Sequence, residues 1–182
     1  IIVFEIILYS IVFLMFLIGV KVTNKIGVKH TMLISMPLAI AAFVALKFLD
    51  YGSGLLYLIA LFDAAHRGLF WAAMHLDFTA SSDANEEGVQ VGLFYSLSTV
   101  LAIVGPFVGG LLAVKYGFGS TFIVVSIILC TSLIPLLSGK DIKVNLQYSF
   151  KDLINRKHVS NDLAYLGTSF RFISAGIFWP LF

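Results

Sequence analysis

The chain has 182 residues, of which 59% are hydrophobic and 12% charged, with a formal net charge of +2. Soluble domains carry about 25% charged residues, so a soluble globular core is excluded, and a mean hydropathy of +0.98 marks a polytopic membrane protein. The single cysteine, Cys130, can make neither an intrachain disulfide nor a cysteine-paired metal site.

The apolar runs predict an all-α membrane bundle of six spans. The first covers residues 1–20, enough for about 30 Å of hydrocarbon, with Glu5 as an interfacial charge near its outer end. Lys21 to His30 reads as a short basic hinge containing Gly27. The second span, 31–48, carries Pro37 in its second turn and ends near Lys47 and Asp50. Tyr51-Gly52-Ser53-Gly54 is a turn, and the third span covers 55–75. Residues 77–87 are polar, and Asp83 followed by Glu86 reads as a helix start. The fourth span, 88–114, is about 40 Å long as a helix, so it tilts or protrudes. A tight turn at Lys115–Gly119 leads to the fifth span, 118–138, with Pro135 near its end. Residues 140–162 form the long polar segment, with a candidate interfacial helix at Phe150–Ile154. Residues 163–182 begin a sixth span that contains Arg171. The chain opens on Ile1 and stops at Phe182 inside an apolar run, which predicts a fragment lacking material at both ends.

Basic residues set the expected orientation. Lys21, Lys25, Lys29, Lys140, Lys143, Lys151, Arg156 and Lys157 fall in one set of alternate connections; Lys47 and Lys115 fall in the other. Eight against two places 21–30, 77–87 and 140–162 in the cytoplasm of a multi-pass protein of the plasma (inner) membrane. The acids of 77–87 weigh little in that rule.

The third span holds the most informative residues. Asp63, Arg67, Trp71 and His75 are spaced by four, so a helix places them on one face, with His66 on its flank. Each intramembrane charge costs roughly 2.5–3.5 kcal/mol on insertion scales, which turns such a face toward protein or water. Asp63, His66, Arg67 and Trp71 are therefore candidates for a substrate or ion pathway. A pair that only neutralises itself across one helical turn is the plainer alternative. His66 and His75 are nine apart and point to different sides, so a shared metal ion is not expected. The sequence suggests no metal, no cofactor and no nucleic-acid partner. Neither a Walker-type phosphate loop nor a Ser-based nucleophile motif occurs, and an enzyme is the weakest class.

The fourth span holds Gly105-Pro106-Phe107-Val108-Gly109-Gly110. Pro106 has no N–H, so the Ala102 carbonyl loses its helical donor and the helix can bend there. Gly105 and Gly109 are four apart and allow another backbone close by. Gly88, Gly92 and Ser96 extend that small-residue stripe, and ordinary packing without motion is its plainer reading.

Residues 105–110 resemble the GPxxGG signature of the major facilitator superfamily. In the connection between the first two spans, Asn24, Lys25, Gly27 and Lys29 resemble that family's G-x-x-x-D-R-x-G-R-K loop. Asn24 stands where the family usually has Asp, and Gly19 falls one position early. The resemblance implies that 1–139 is part of the N-terminal six-helix half, 140–162 the cytoplasmic linker between halves, and 163–182 the start of the C-terminal half. The spans then correspond to family helices two to six and the start of seven, and Arg67 resembles the arginine of the family's fourth helix. The partners so implied are membrane lipid, a small-molecule solute, protons, and the missing N-terminal helix and C-terminal half of the same protein. The expected function is secondary active transport by alternating access with proton coupling, export being one direction open to it. The alternative is a membrane sensor or scaffold that keeps the fold without flux.

Overall fold

The computed structural model describes residues 2–49, 54–81 and 87–144. The chain divides into two compact units, one of residues 5–144 and one of residues 1–4 with 145–182. Of the second unit, only residues 2–4 are described, as the first turn of a helix. The candidate helix start at 83–86, the interfacial helix at 150–154 and the sixth span with Arg171 lie outside the described residues.

The described residues form five helices and no strand: α1 (Ile2–Ile26), α2 (Val28–Leu46), α3 (Leu55–Ser81), α4 (Glu87–Tyr116) and α5 (Phe118–Ser138). All five are long and apolar enough to cross a membrane. In hydrocarbon every backbone N–H and C=O needs an internal partner, and a helix supplies it within one segment.

Several helix ends differ from the expected ones. Lys21, Asn24 and Lys25 are not in a hinge, because α1 continues through them to Ile26. The reversal into α2 takes one residue, Gly27, whose φ of 98° strains any side-chain-bearing residue. The Gly27 N–H still bonds the Thr23 carbonyl at 2.9 Å, and the Gly27 carbonyl accepts the Thr31 N–H at 3.2 Å. Two helices therefore end and begin without a loop between them. Gly117, with φ 82°, does the same between α4 and α5 where a longer turn is expected. Pro37 falls near the middle of α2, since that helix starts three residues before Thr31. At its far end α3 continues past His75 and Asp77 to Ser81, so its centre falls at Gly68.

Packing within residues 5–144 depends on small residues. A β-carbon at Gly19 of α1 would lie 2.9 Å from the Ala72 Cβ and 2.9 Å from the Gly68 carbonyl oxygen. A β-carbon at Gly68 would run into Met15 Cβ and lie 2.7 Å from the Phe16 nitrogen. The buried face of α3 is Ile59, Ala60, Ala64, Ala65, Gly68, Leu69, Ala72 and Ala73. In lipid the tails are as apolar as the side chains, so helices associate through close van der Waals contact, which small residues permit. Thr23, Thr31 and Ser35 are fully buried. Their hydroxyls return to carbonyls one turn back, those of Gly19, Gly27 and Met32, at 2.8, 2.8 and 2.7 Å. Each polar group is thus satisfied on its own helix.

At one end of this unit Val28, Met32 and Ala73 form a buried cluster against Phe70, Met74, Leu136, Ile142 and Val144. That cluster joins α2, α3 and the segment after α5. At the other end, the Lys47 side chain lies 3.5 Å from where a β-carbon on Gly119 would stand.

Because Gly68 meets backbone, Gly68→Leu must separate α1 from α3. Overpacking costs about 1–3 kcal/mol and occasionally more. Purified Gly68→Leu protein should melt several degrees below wild type, whereas Leu58→Ala, at an exposed position of the same helix, should not. Equal melting temperatures for Gly68→Leu and wild type would mean that the crossing is loose.

Candidate functional site

The direction of the polar face of α3 is set by the packing of its opposite face. With the alanine and glycine stripe against α1 and α2, the residues at 63, 67, 71 and 75 turn the other way. Arg67 Nη2 donates to Asp63 Oδ2 at 2.8 Å across one turn, with side-chain exposures of 44% and 23%. Trp71 is exposed and its ring lies 5.7 Å from that of His75. These four residues do share a face. Surrounding spans do not enclose it among the described residues, because the small residues, not the charged ones, make the close helix contacts.

His66 leaves this face. Its Nδ1 lies 3.0 Å from the Ser35 carbonyl oxygen on α2. A carbonyl only accepts, so Nδ1 carries a proton, and in a neutral ring Nε2 is then the acceptor. The ring also lies 5.4 Å from that of Phe70. α2 therefore fixes the tautomer of a side chain borne by α3. This cross-helix bond has no signature in the spacing of residues.

The glycine–proline segment lies inside α4. Among the described residues, nothing lies within 4 Å of a β-carbon built at Gly88, Gly92, Gly105, Gly109 or Gly110. Among the described residues, close backbone approach is found at Gly19 and Gly68. Surrounding alanines at 64, 65, 72 and 73 were the available signal for it.

In the basic connection, Asn24 and Lys25 occupy the last turn of α1, Gly27 is the break and Lys29 lies in the first turn of α2. Lys29 and His30 both engage Asp141, beyond α5. Asp141 has no local motif to announce it. A cleft of about 300 Å³ between the ends of α3 and α4 is lined in part by His75, Asp77, Phe78, Gln90 and Phe94. Asp77 is on this helix rather than in a loop. No group of three His, Cys, Asp or Glu side chains among the described residues is placed to hold a metal ion.

Five apolar helices, with an ion pair and a histidine carried on one of them, define an integral, multi-pass helical membrane protein. The chain belongs to the Major Facilitator Superfamily, whose sequence profile matches residues 4–181. That family is made up of transporters, and its members share the polytopic helical bundle seen here. Comparison with curated proteins and with solved structures returns no match.

The His66–Ser35 contact makes a stability prediction. His66→Leu removes one hydrogen bond, worth about 1 kcal/mol net, and should lower the melting temperature by a few degrees. His66→Asn presents an amide N–H at the position of Nδ1 and should recover most of that loss. Equal losses for Asn and Leu would show that the bond contributes nothing.

Proposed function

We propose that this chain is part of a secondary active transporter of the plasma (inner) membrane that moves a small solute by alternating access, coupled to protons. The observation that carries the reading is the polar set on α3: Asp63 and Arg67 paired at 2.8 Å, and His66 held through Nδ1 on the neighbouring helix. Intramembrane charges are costly and usually mark a pathway. In transporters with inverted repeats, substrate sites lie near the middle of the bilayer. Arg67 adjoins the centre of α3 at Gly68, and Asp63 lies one turn away.

On this reading Asp63 and Arg67 border the solute pathway, and Trp71 supplies an aromatic surface beside them. His66 takes and releases a proton at Nε2, while Nδ1 stays on the Ser35 carbonyl. Pro106 leaves the Ala102 carbonyl without a helical donor, and α4 bends there as access alternates. Gly105, Gly109 and Gly110 leave the backbone of α4 open to close packing there. Asn24, Lys25, Gly27 and Lys29 lie on the cytoplasmic side, with 77–87 and the inter-half linker at 140–162. Lys21, Lys25, Lys29, Lys140 and Lys143, all at the end that carries Gly27 and Asp141, support that orientation.

Two experiments test this. The double variant Asp63→Asn/Arg67→Gln removes both charges, so neither is left buried without its partner. It should reach the membrane at wild-type levels and lose proton-coupled flux in proteoliposomes. Normal flux in the double variant would reduce Asp63 and Arg67 to a self-neutralising pair. For orientation, single cysteines replace Lys25 and Tyr116, both exposed, in a Cys130→Ala background. An impermeant thiol reagent applied to intact cells should label position 116 and spare position 25. The reverse pattern would invert the topology.

A further inference from the structure

With 27 residues, α3 is about 40 Å long, against roughly 30 Å of hydrocarbon. Its first two turns, Leu55 to Leu61, carry no charge, whereas His75, Asp77, Thr79 and Ser81 crowd its last two. The surplus length therefore stands at the Ser81 end, at the depth of lipid headgroups. The first turns of α4 lie beside that end, and the cleft of about 300 Å³ separates the two helices there.

The lining of this cleft joins a carboxylate to aromatic surface. Asp77 is its acid, Phe78, Phe94 and Tyr95 supply the rings, and no lysine or arginine lines it. Asp77 is partly buried. Asp63 has the Arg67 guanidinium, and Asp141 has the Lys29 N–H and the His30 ring. Among the described residues no such partner reaches Asp77. A carboxylate on a membrane helix is costly without a counter-charge. The rings ask for the same ligand, because a cation is attracted to the negative face of an aromatic ring. Ser81, Gln90 and Tyr95 add O–H and N–H donors, suited to an anion beside that cation. Further along α4, Leu97 and Leu101 continue the face of Gln90 and Phe94 at spacings of three and four, and both are exposed. From Phe94 they make an apolar track about 10 Å long.

We propose that the cleft between the end of α3 and the start of α4 binds the headgroup of a zwitterionic phospholipid that carries a primary ammonium, of the ethanolamine type. The Asp77 carboxylate accepts the ammonium N–H groups, and the rings of Phe78, Phe94 and Tyr95 cover the rest of that cation. The adjoining phosphate takes the donors of Ser81, Gln90 and Tyr95, and an acyl chain follows Phe94, Leu97 and Leu101. A primary ammonium makes a charge-assisted hydrogen bond to a carboxylate, whereas a quaternary one has no N–H to give. An anionic headgroup brings Asp77 no cation at all. A lipid fits better than a soluble amine, because the cleft stands at headgroup depth and runs into an apolar track. Asp77 lies about 15 Å along α3 from Arg67, so the site is separate from the Asp63–Arg67 pair and needs only these two helices in a bilayer.

Photo-cross-linking of the full-length protein in lipid nanodiscs tests the site. Three phospholipid probes carry the same diazirine-bearing acyl chain on an ethanolamine, a choline or a glycerol headgroup, at equal mole fraction, and adducts are mapped by mass spectrometry. On wild type the ethanolamine probe should label residues 74–81 and 90–101 several-fold more than the glycerol probe, with the choline probe between them. Asp77→Asn should bring the three probes to equal labelling, and Asp77→Glu, which keeps the carboxylate, should preserve their order. Equal labelling of wild type by all three would overturn the proposal. Were dodecylamine then to remove those adducts, the cleft would belong to a free amine instead of a lipid. An ethanolamine preference that survives in Asp77→Asn would also overturn it, since the carboxylate would not be the counter-ion. The comparison of probes on wild type decides the matter even where a variant fails to fold.

Discussion

The contact on which this structure depends is the crossing of α1 and α3 at Gly19 and Gly68. Backbone atoms of each helix occupy the space where the other would carry a side chain. In a bilayer there is little hydrophobic drive to bring two apolar helices together, so contact must come from short-range packing. Glycine opposite glycine, flanked by alanine, gives the closest approach available. This one contact also fixes the roll of α3 about its axis. Once Gly68, Ala64, Ala65, Ala72 and Ala73 face inward, the directions of Asp63, Arg67, Trp71 and His75 follow from helical geometry.

The roll of α3 separates its polar residues into two settings. Asp63 and Arg67 neutralise each other along the helix and stay partly exposed. His66 turns onto α2 and takes the Ser35 carbonyl as a partner. The first arrangement needs only one helix, the second needs two in register. A histidine tautomer set by a backbone carbonyl does not depend on the survival of a second side chain, which makes it a durable device. It also ties α3 to α2 at a depth where an unsatisfied polar group is expensive.

Helix ends obey a different constraint. The reversals at Gly27 and Gly117 each use one residue in a positive-φ conformation, so there is no loop to supply capping side chains. At Gly27 the deficit is met by Asp141, and the Lys29 ammonium caps the end of α5. Lys21 and Lys25, expected in a flexible connection, instead ride on the last turns of α1. α1, α3 and α4, with 25, 27 and 30 residues, are longer than the hydrocarbon they cross, and charged residues near their ends belong to regular helix rather than to loops.

Sequence alone determined the class, the order of the helices and the intrahelical ion pair. Each follows from local chemistry: apolar length from the bilayer, charge scarcity from desolvation, and the Asp63–Arg67 contact from a spacing of four. The family resemblance was also legible, since GPxxGG and the basic connection are contiguous motifs, and the family profile agrees with it. Tertiary structure decided the rest. Small-residue stripes occur on both α3 and α4; the alanines around Gly68 are a sequence signal for the one on α3, and among the described residues that stripe is the one that meets a backbone. The helix ends at Ile26, Tyr116 and Ser81 were misplaced because charge and glycine mark a boundary only loosely, while a single positive-φ residue can end one helix and start the next. The partners of His66 and of Asp141 were invisible for a common reason. A backbone carbonyl or a helix N-terminus has no side-chain identity in sequence, and only folding brings residue 35 to 66 or residue 29 to 141.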